Sequence, residues 1–188
     1  LTAGRSVYEF HGAIGPAPTE DDQLPSYRYE LVSDGSTIAP GGSTEPDLRI
    51  LARVAGHYTP ETRVFTADSI GVRTPAGEVF GRAVVTFVPG KTPGVDFVLS
   101  VPRMPSGHAK QLWPWFAASG AQRWANENLF GGTLRDSRLS MSVQPGRMGD
   151  GVPLQSHEIS GHFELDGARF DVAGQIPPVR DAVGAIDF

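Results

Sequence analysis

The chain contains no cysteine, so neither a disulfide nor a thiolate metal site can hold it together. This absence fits the periplasm without fixing a compartment. No basic run is present: 16 lysines and arginines stand against 21 aspartates and glutamates, for a formal net charge of −5. That balance argues against nucleic-acid binding. No stretch reaches the roughly 20 apolar residues a membrane helix needs, and no signal peptide is visible. The chain opens at Leu1 and closes at Phe188 in a half-finished strand pattern. It therefore reads as a segment cut from a larger protein, with any targeting element removed. Open strand edges of such a segment would be free to pair artificially into dimers.

The 188 residues suit one domain or one slab of a longer repeating architecture. A globule of this size buries roughly 70% of its unfolded surface, enough for a real core. With 39% hydrophobic and 20% charged residues, the chain falls outside the disordered class. Glycine (23) and proline (16) make up about a fifth of it without a collagen period. Together with many Val, Thr and Phe, this predicts short strands joined by many turns.

Period-2 alternation dominates. Over 47–56, Leu48, Ile50, Ala52 and Val54 point one way and Arg49 and Arg53 the other. Val79, Ala83, Val85 and Phe87 share a face, as do Val95, Phe97, Leu99 and Val101 against Asp96 and Ser100. Leu139, Met141 and Val143 oppose Arg138, Ser140 and Ser142; Ile159, Phe163 and Leu165 oppose Glu158, Ser160, His162 and Glu164. Runs over 7–14 and 27–32 read as strands, and so does 169–174 after Asp166-Gly167, a hairpin-turn dipeptide. Asp34-Gly35, Pro40-Gly41-Gly42, Thr59-Pro60, Pro75-Ala76-Gly77 and Pro89-Gly90 punctuate the runs. No helical pattern separates most of them, so consecutive antiparallel strands are expected in place of βαβ units. One apolar and one polar face per strand fits a sheet covered on one side.

The interval 106–130 breaks the pattern with good helix formers such as Lys110, Gln111, Leu112, Ala121 and Ala125. Pro114 is expected to open or kink a helix. Ala121, Trp124, Ala125, Asn128 and Leu129 fall on one helical face, and Gly131-Gly132 offers a stop. The expected fold is mainly β: a long antiparallel curled sheet, with strands in 1–105 and 131–188. A short helical segment, about 108–130, packs on the sheet through Trp113, Pro114, Trp115 and Trp124. The same aromatic cluster could instead touch lipid or a partner.

Catalytic and metal chemistry is sparse. His157-Glu158 with His162 looks like a zinc-protease helix, but that motif needs histidines four apart on a helix; these are five apart in a strand pattern. No Gly-x-Ser-x-Gly elbow occurs, and the glycine pairs lack the Lys and Ser/Thr of a phosphate loop. Asp68 shares a face with Ile70 and Val72, and reads as either a paired or a functional carboxylate. We expect no catalytic residue, metal or cofactor, and no enzyme activity. A hydrolase would need a convergent acid–base cluster around Asp68, His57 or His157.

Leu112-Trp113-Pro114, then Arg123-Trp124-Ala125-Asn126-Glu127-Asn128-Leu129 and Gly131-Gly132 before a strand, resembles the AsmA-like family of bacterial envelope proteins. The branch it looks most like is the YhdP-like one, related to TamB. Tyr27-Arg28-Tyr29-Glu30-Leu31 with Ile38-Ala39-Pro40, and the closing strand ending in Ile176-Pro177-Pro178-Val179 before Gly184, agree in order. The resemblance implies a bridge-like lipid-transfer protein, anchored in the inner membrane by an N-terminal helix outside this segment. It would extend through the periplasm and conduct phospholipid towards the outer membrane. The site it implies is a diffuse apolar lining. Val85, Phe87, Phe97, Leu99, Val101, Ile159 and Phe163 could contact acyl chains, or could fill an ordinary core. A β-rich protein-interaction module of the envelope, docking through edge strands or the tryptophan helix, is the alternative.

Overall fold

The computed structural model describes residues 4–18, 24–114, 116–117, 119–149, 152–171 and 177–188. Among these run β1 (His11–Pro16), β2 (Tyr27–Ile38), β3 (Leu48–Thr59), β4 (Val64–Thr74), β5 (Gly77–Thr86) and β6 (Gly94–Pro105). Helices α1 (Ser106–Leu112) and α2 (Ser119–Asn128) follow, then β7 (Leu129–Phe130), β8 (Thr133–Val143), β9 (Ile159–Phe170) and β10 (Val179–Asp187). The strands form one antiparallel sheet in the order β1-β2-β3-β4-β5-β6-β8-β9-β10, with β7 pairing β9 off that path. The sheet is mainly a meander, and β1 and β10 are its two edges.

The helices are an insert into a hairpin. Pro105 on β6 pairs with Thr133 on β8, so the chain leaves the sheet and returns at the same register level. Ser106 closes the neck: its N–H donates to the Gly132 carbonyl at 3.1 Å and its hydroxyl to the Gly131 carbonyl at 2.5 Å. Helix α1 stops at Trp113, whose extended backbone (φ −60°, ψ 125°) is what a residue before proline is pushed into. Pro114 therefore ends α1 and sits in a turn, where its carbonyl accepts from Ala117 N–H at 2.9 Å; it does not open a helix. The helical segment expected over about 108–130 is present as two short helices. Gly131-Gly132 is not the direct stop either, because β7 intervenes after α2.

The alternating faces deliver three apolar clusters. Val95, Phe97, Leu139, Met141, Val143 and Ile159 pack with Ala117 of the insert; Leu134, Leu165 and Ala168 with Ala125 and Leu129; Ile38, Leu48, Ile50 and Ala52 with Leu112 at their margin. Every cluster thus takes at least one side chain from 106–132.

Several turn signals lie inside strands. Asp34-Gly35 falls in β2, where the pairing with β3 shifts register between Ser33 and Ser36. Asp166-Gly167 falls in β9, with Gly167 at φ +70°. An αL glycine is as compatible with a bulge as with a hairpin turn, and here the flanking strand pairs on with β7. Asp68 is likewise at a bulge: the β4–β5 register shifts between Ala67 and Ile70. Ala67 is buried, Asp68 and Ser69 are both exposed, and Thr74 is buried. The extra residue reverses the phase, so Asp68 does not share the face of Ile70 and Val72. The 7–14 run is one isolated bridge, Val7 to Thr37, before β1 begins at His11. Val179 opens a strand and does not close one; 172–176 lie outside the described residues. Phe87, expected inward, follows the end of β5 and is 45% exposed.

Among the described residues no helix is long and apolar enough to cross a membrane. Met104 is fully buried, so Met104→Ala should cost about 2–5 kcal/mol in urea unfolding. Phe87→Ala should stay within about 0.5 kcal/mol. Equal losses at the two positions would contradict the placement of the core.

Candidate functional site

The insert does not tile the sheet completely. Between it and the sheet lies a chamber of about 150 Å³. Its floor comes from Val79, Leu99, Val101, Leu134, Leu139, Phe163 and Leu165, and its roof from Ala109, Leu112, Trp113, Pro114, Ala121, Trp124 and Ala125. Ile186 and Phe188 close one side, and Ser106, Lys110 and Arg138 are the polar residues at its margins. Trp124, Ile186 and Phe188 are also exposed to solvent, which marks them as the rim. Its apolar lining and volume match an apolar guest the size of benzene or a short hydrocarbon segment.

An aromatic row forms one wall. Trp113 stacks on Phe163 with centroids 5.6 Å apart, and Phe163 on Phe188 at 5.9 Å. The Trp113 indole N–H donates to the Ala117 carbonyl at 2.7 Å, which satisfies its one polar atom. Trp124 leans on Phe170 at 5.9 Å.

A polar staple holds the roof. Lys110 is nearly buried, lies 2.7 Å from Glu45 Oε1, and donates to the Leu129 carbonyl at 3.0 Å. Its ammonium also sits 5.6 Å from the centre of the Phe130 ring, within cation–π reach. Gln111 donates to the Pro46 carbonyl at 2.9 Å, so α1 is tied twice to the β2–β3 loop. His108 Nδ1 lies 3.0 Å from Thr74 Oγ1. The Thr74 hydroxyl donates its single proton to the Gly77 carbonyl, so His108 Nδ1 carries the hydrogen in this bond. Burial holds His108 below the ordinary histidine value, with Glu45 pulling the other way.

Among the seven proposed lining residues, Leu99, Val101 and Phe163 border the chamber. Phe97 and Ile159 are buried, and Val85 packs beside them, in the cluster capped by Phe116 and Ala117. Phe87 is exposed. Trp113, Pro114 and Trp124 all face the chamber; Trp115 lies outside the described residues. Ile186, Phe188, Glu45 and Lys110 were missed. The alternation of Ile186 and Phe188 was a readable signal, whereas nothing local links Glu45 to Lys110.

A larger trough of about 460 Å³ crosses β4, β5, β6, β8 and β9, bordered by Asp68, Arg82, Asp96, Ser140 and Ser160. These side chains alternate with the core residues and so belong to the solvated face. Its mixed charges and hydroxyls converge on no single chemistry, so the apolar chamber is the stronger candidate. Glu158, expected outward, is buried at 8% exposure and paired with Arg147, with both nitrogen–oxygen distances 2.8 Å. The Gln155 N–H and then the Arg147 guanidinium hold its carboxyl below the usual range. His57 Nδ1 meets Asp68 at 3.1 Å, an exposed pair; among the described residues no hydroxyl group completes a nucleophilic arrangement with it. Among the described residues no group of three or more His, Asp or Glu could hold a metal ion.

No family model, curated protein or solved structure matches this chain.

The staple predicts an asymmetry. Glu45 is 27% exposed and can turn to water once Lys110 is gone; Lys110, at 5%, cannot once Glu45 is gone. Glu45→Ala should therefore cost about 3 kcal/mol, and Lys110→Met distinctly less, by chemical denaturation. Equal costs, or additive costs in the double variant, would contradict a buried pair.

Proposed function

We propose that this chain is a non-enzymatic segment of an inner-membrane-anchored periplasmic protein of the AsmA-like type, and that its chamber receives part of a phospholipid acyl chain bound for the outer membrane. The observation that carries this reading is the chamber itself: apolar walls, an aromatic row and a rim open to solvent, beneath a helical insert. Each methylene moved from water into such a site gains roughly 0.8 kcal/mol, so no catalytic group is required. The open sheet also supports the reading, since its two edges leave room for further strands of a longer conduit.

The second reading is a β-rich protein-interaction or scaffolding module. Its support is at the other end of the sheet, where Phe10 and Ile14 are exposed on or beside edge strand β1. An exposed apolar edge invites strand addition by a partner.

Photo-crosslinking in cells separates the two. With the probe at Leu99 or Phe163 of the full-length protein, mass spectrometry should find phospholipid adducts. With the probe at Val98 or Ser160, on the opposite face, it should find none. Absence of lipid at Leu99 and Phe163, with protein adducts from Phe10, would make the chamber ordinary packing and the interaction module the better reading.

A further inference from the structure

The side of the chamber closed by Ile186 and Phe188 is the end of β10 and the residue that follows it, at one edge of the sheet. All but one residue of β10 is exposed. Its pairing with β9 shifts register twice, between Val179 and Ala182 and between Ala182 and Gly184. Asp181 stands at φ +50°, a backbone conformation that side chains other than glycine adopt at a cost. From Gly184 onward the pairing is regular, ending in two backbone hydrogen bonds between Phe188 and Gly161 at 3.0 and 3.1 Å.

Strand alternation divides this last stretch into two jobs. Ile186 and Phe188 turn to the chamber, and Phe188 stacks on Phe163. Gly161 leaves room for it: a Cβ there would sit 2.5 Å from the Phe188 ring and 2.8 Å from that of Phe163. Asp187 turns to the other face, where its Oδ1 lies 2.7 Å from His162 Nδ1. His162 Nε2 lies 3.5 Å from Glu164 Oε1 on β9. From β8, Arg138 stands opposite His162 in register. Arg135, opposite Glu164, is engaged with Asp166.

We propose that the end of β10 is a movable lid on the chamber, latched to β9 by the His162–Asp187 pair and loosened when His162 loses its proton. The proposal supplies a regulation for the acyl-binding reading and rests on that reading for its purpose. Asp187 first, and Glu164 second, raise the His162 pKa above its ordinary value in the closed strand. Proton binding and closure therefore favour one another. The latch is fully engaged below the ordinary histidine value of about 6.5 and weakens as pH rises through the raised value. Neutral His162 can still donate one hydrogen bond to Asp187, so the lid loosens and does not detach.

Hydrogen exchange of the whole protein, read by mass spectrometry and corrected for intrinsic rates, tests this between about pH 5.5 and 8.5. Protection over 184–188 should fall about two- to fivefold across that window, while β2 and β3 stay unchanged. His162→Gln and Asp187→Asn should each remove the pH dependence. A flat wild-type profile, or the same slope in both variants, overturns the lid. A fluorescent fatty acid probe added in parallel keeps the readings apart. Failure of the probe to bind sinks the acyl reading, whereas a flat exchange profile with the probe bound sinks only the lid.

Discussion

A meander of antiparallel strands with one apolar face cannot leave that face in water, and here residues 106–132 help cover it. The insert is held at its neck by the Pro105–Thr133 pair and the two bonds of Ser106. From that neck it supplies Ala117, Ala125 and Leu112 to three separate clusters. Those clusters span strands from β2 to β9, so losing the neck would uncover apolar surface along most of the sheet. The buried Lys110–Glu45 pair acts on the same joint from the opposite side, fixing α1 to the β2–β3 loop. Such a pair adds little net stability over apolar packing but is costly to break on one side, which suits a device that sets where the roof sits.

The chamber follows from imperfect tiling. Two short helices joined through a turn at Pro114 cannot match the whole apolar face, and large rings bridge what is left. Trp113, Phe163 and Phe188 span the gap as a stack, leaving space beside them lined by aliphatic side chains. The neighbouring cluster under Phe116 and Ala117, by contrast, is filled. The same sheet face is thus core over one stretch and cavity over the next. That difference separates Phe97 and Ile159 from Leu99 and Phe163, although all four show the same alternation.

Where the reading of the residues failed, it failed at bulges and across long separations. Asp34-Gly35 and Asp166-Gly167 carry the residues of a tight turn, yet each sits within a strand that continues. A dipeptide that permits φ > 0 cannot by itself say whether the chain reverses or merely gains an extra residue. Asp68 looked misplaced because period 2 was carried through a register shift. Glu158 looked outward because its partner Arg147 comes from the 145–149 turn, which no strand pattern reveals. Glu45 and Lys110 meet only because a loop and a helix far apart in the chain share one corner of the roof.

The residues alone determined a mainly β chain, the antiparallel order of most strands and the polar and apolar faces of those whose alternation runs unbroken. They also located one helical interruption bearing the tryptophans. All of these are local: period-2 alternation, turn chemistry and helix propensity act over a few neighbours and survive without knowledge of the fold. Tertiary structure alone decided which apolar residues are packed and which border space, where the ion pairs close, and that β10 lies over the chamber. Those outcomes depend on how an insert of given length and shape sits on a sheet of given twist. Contact between distant segments is a property of that geometry and of no single stretch of sequence.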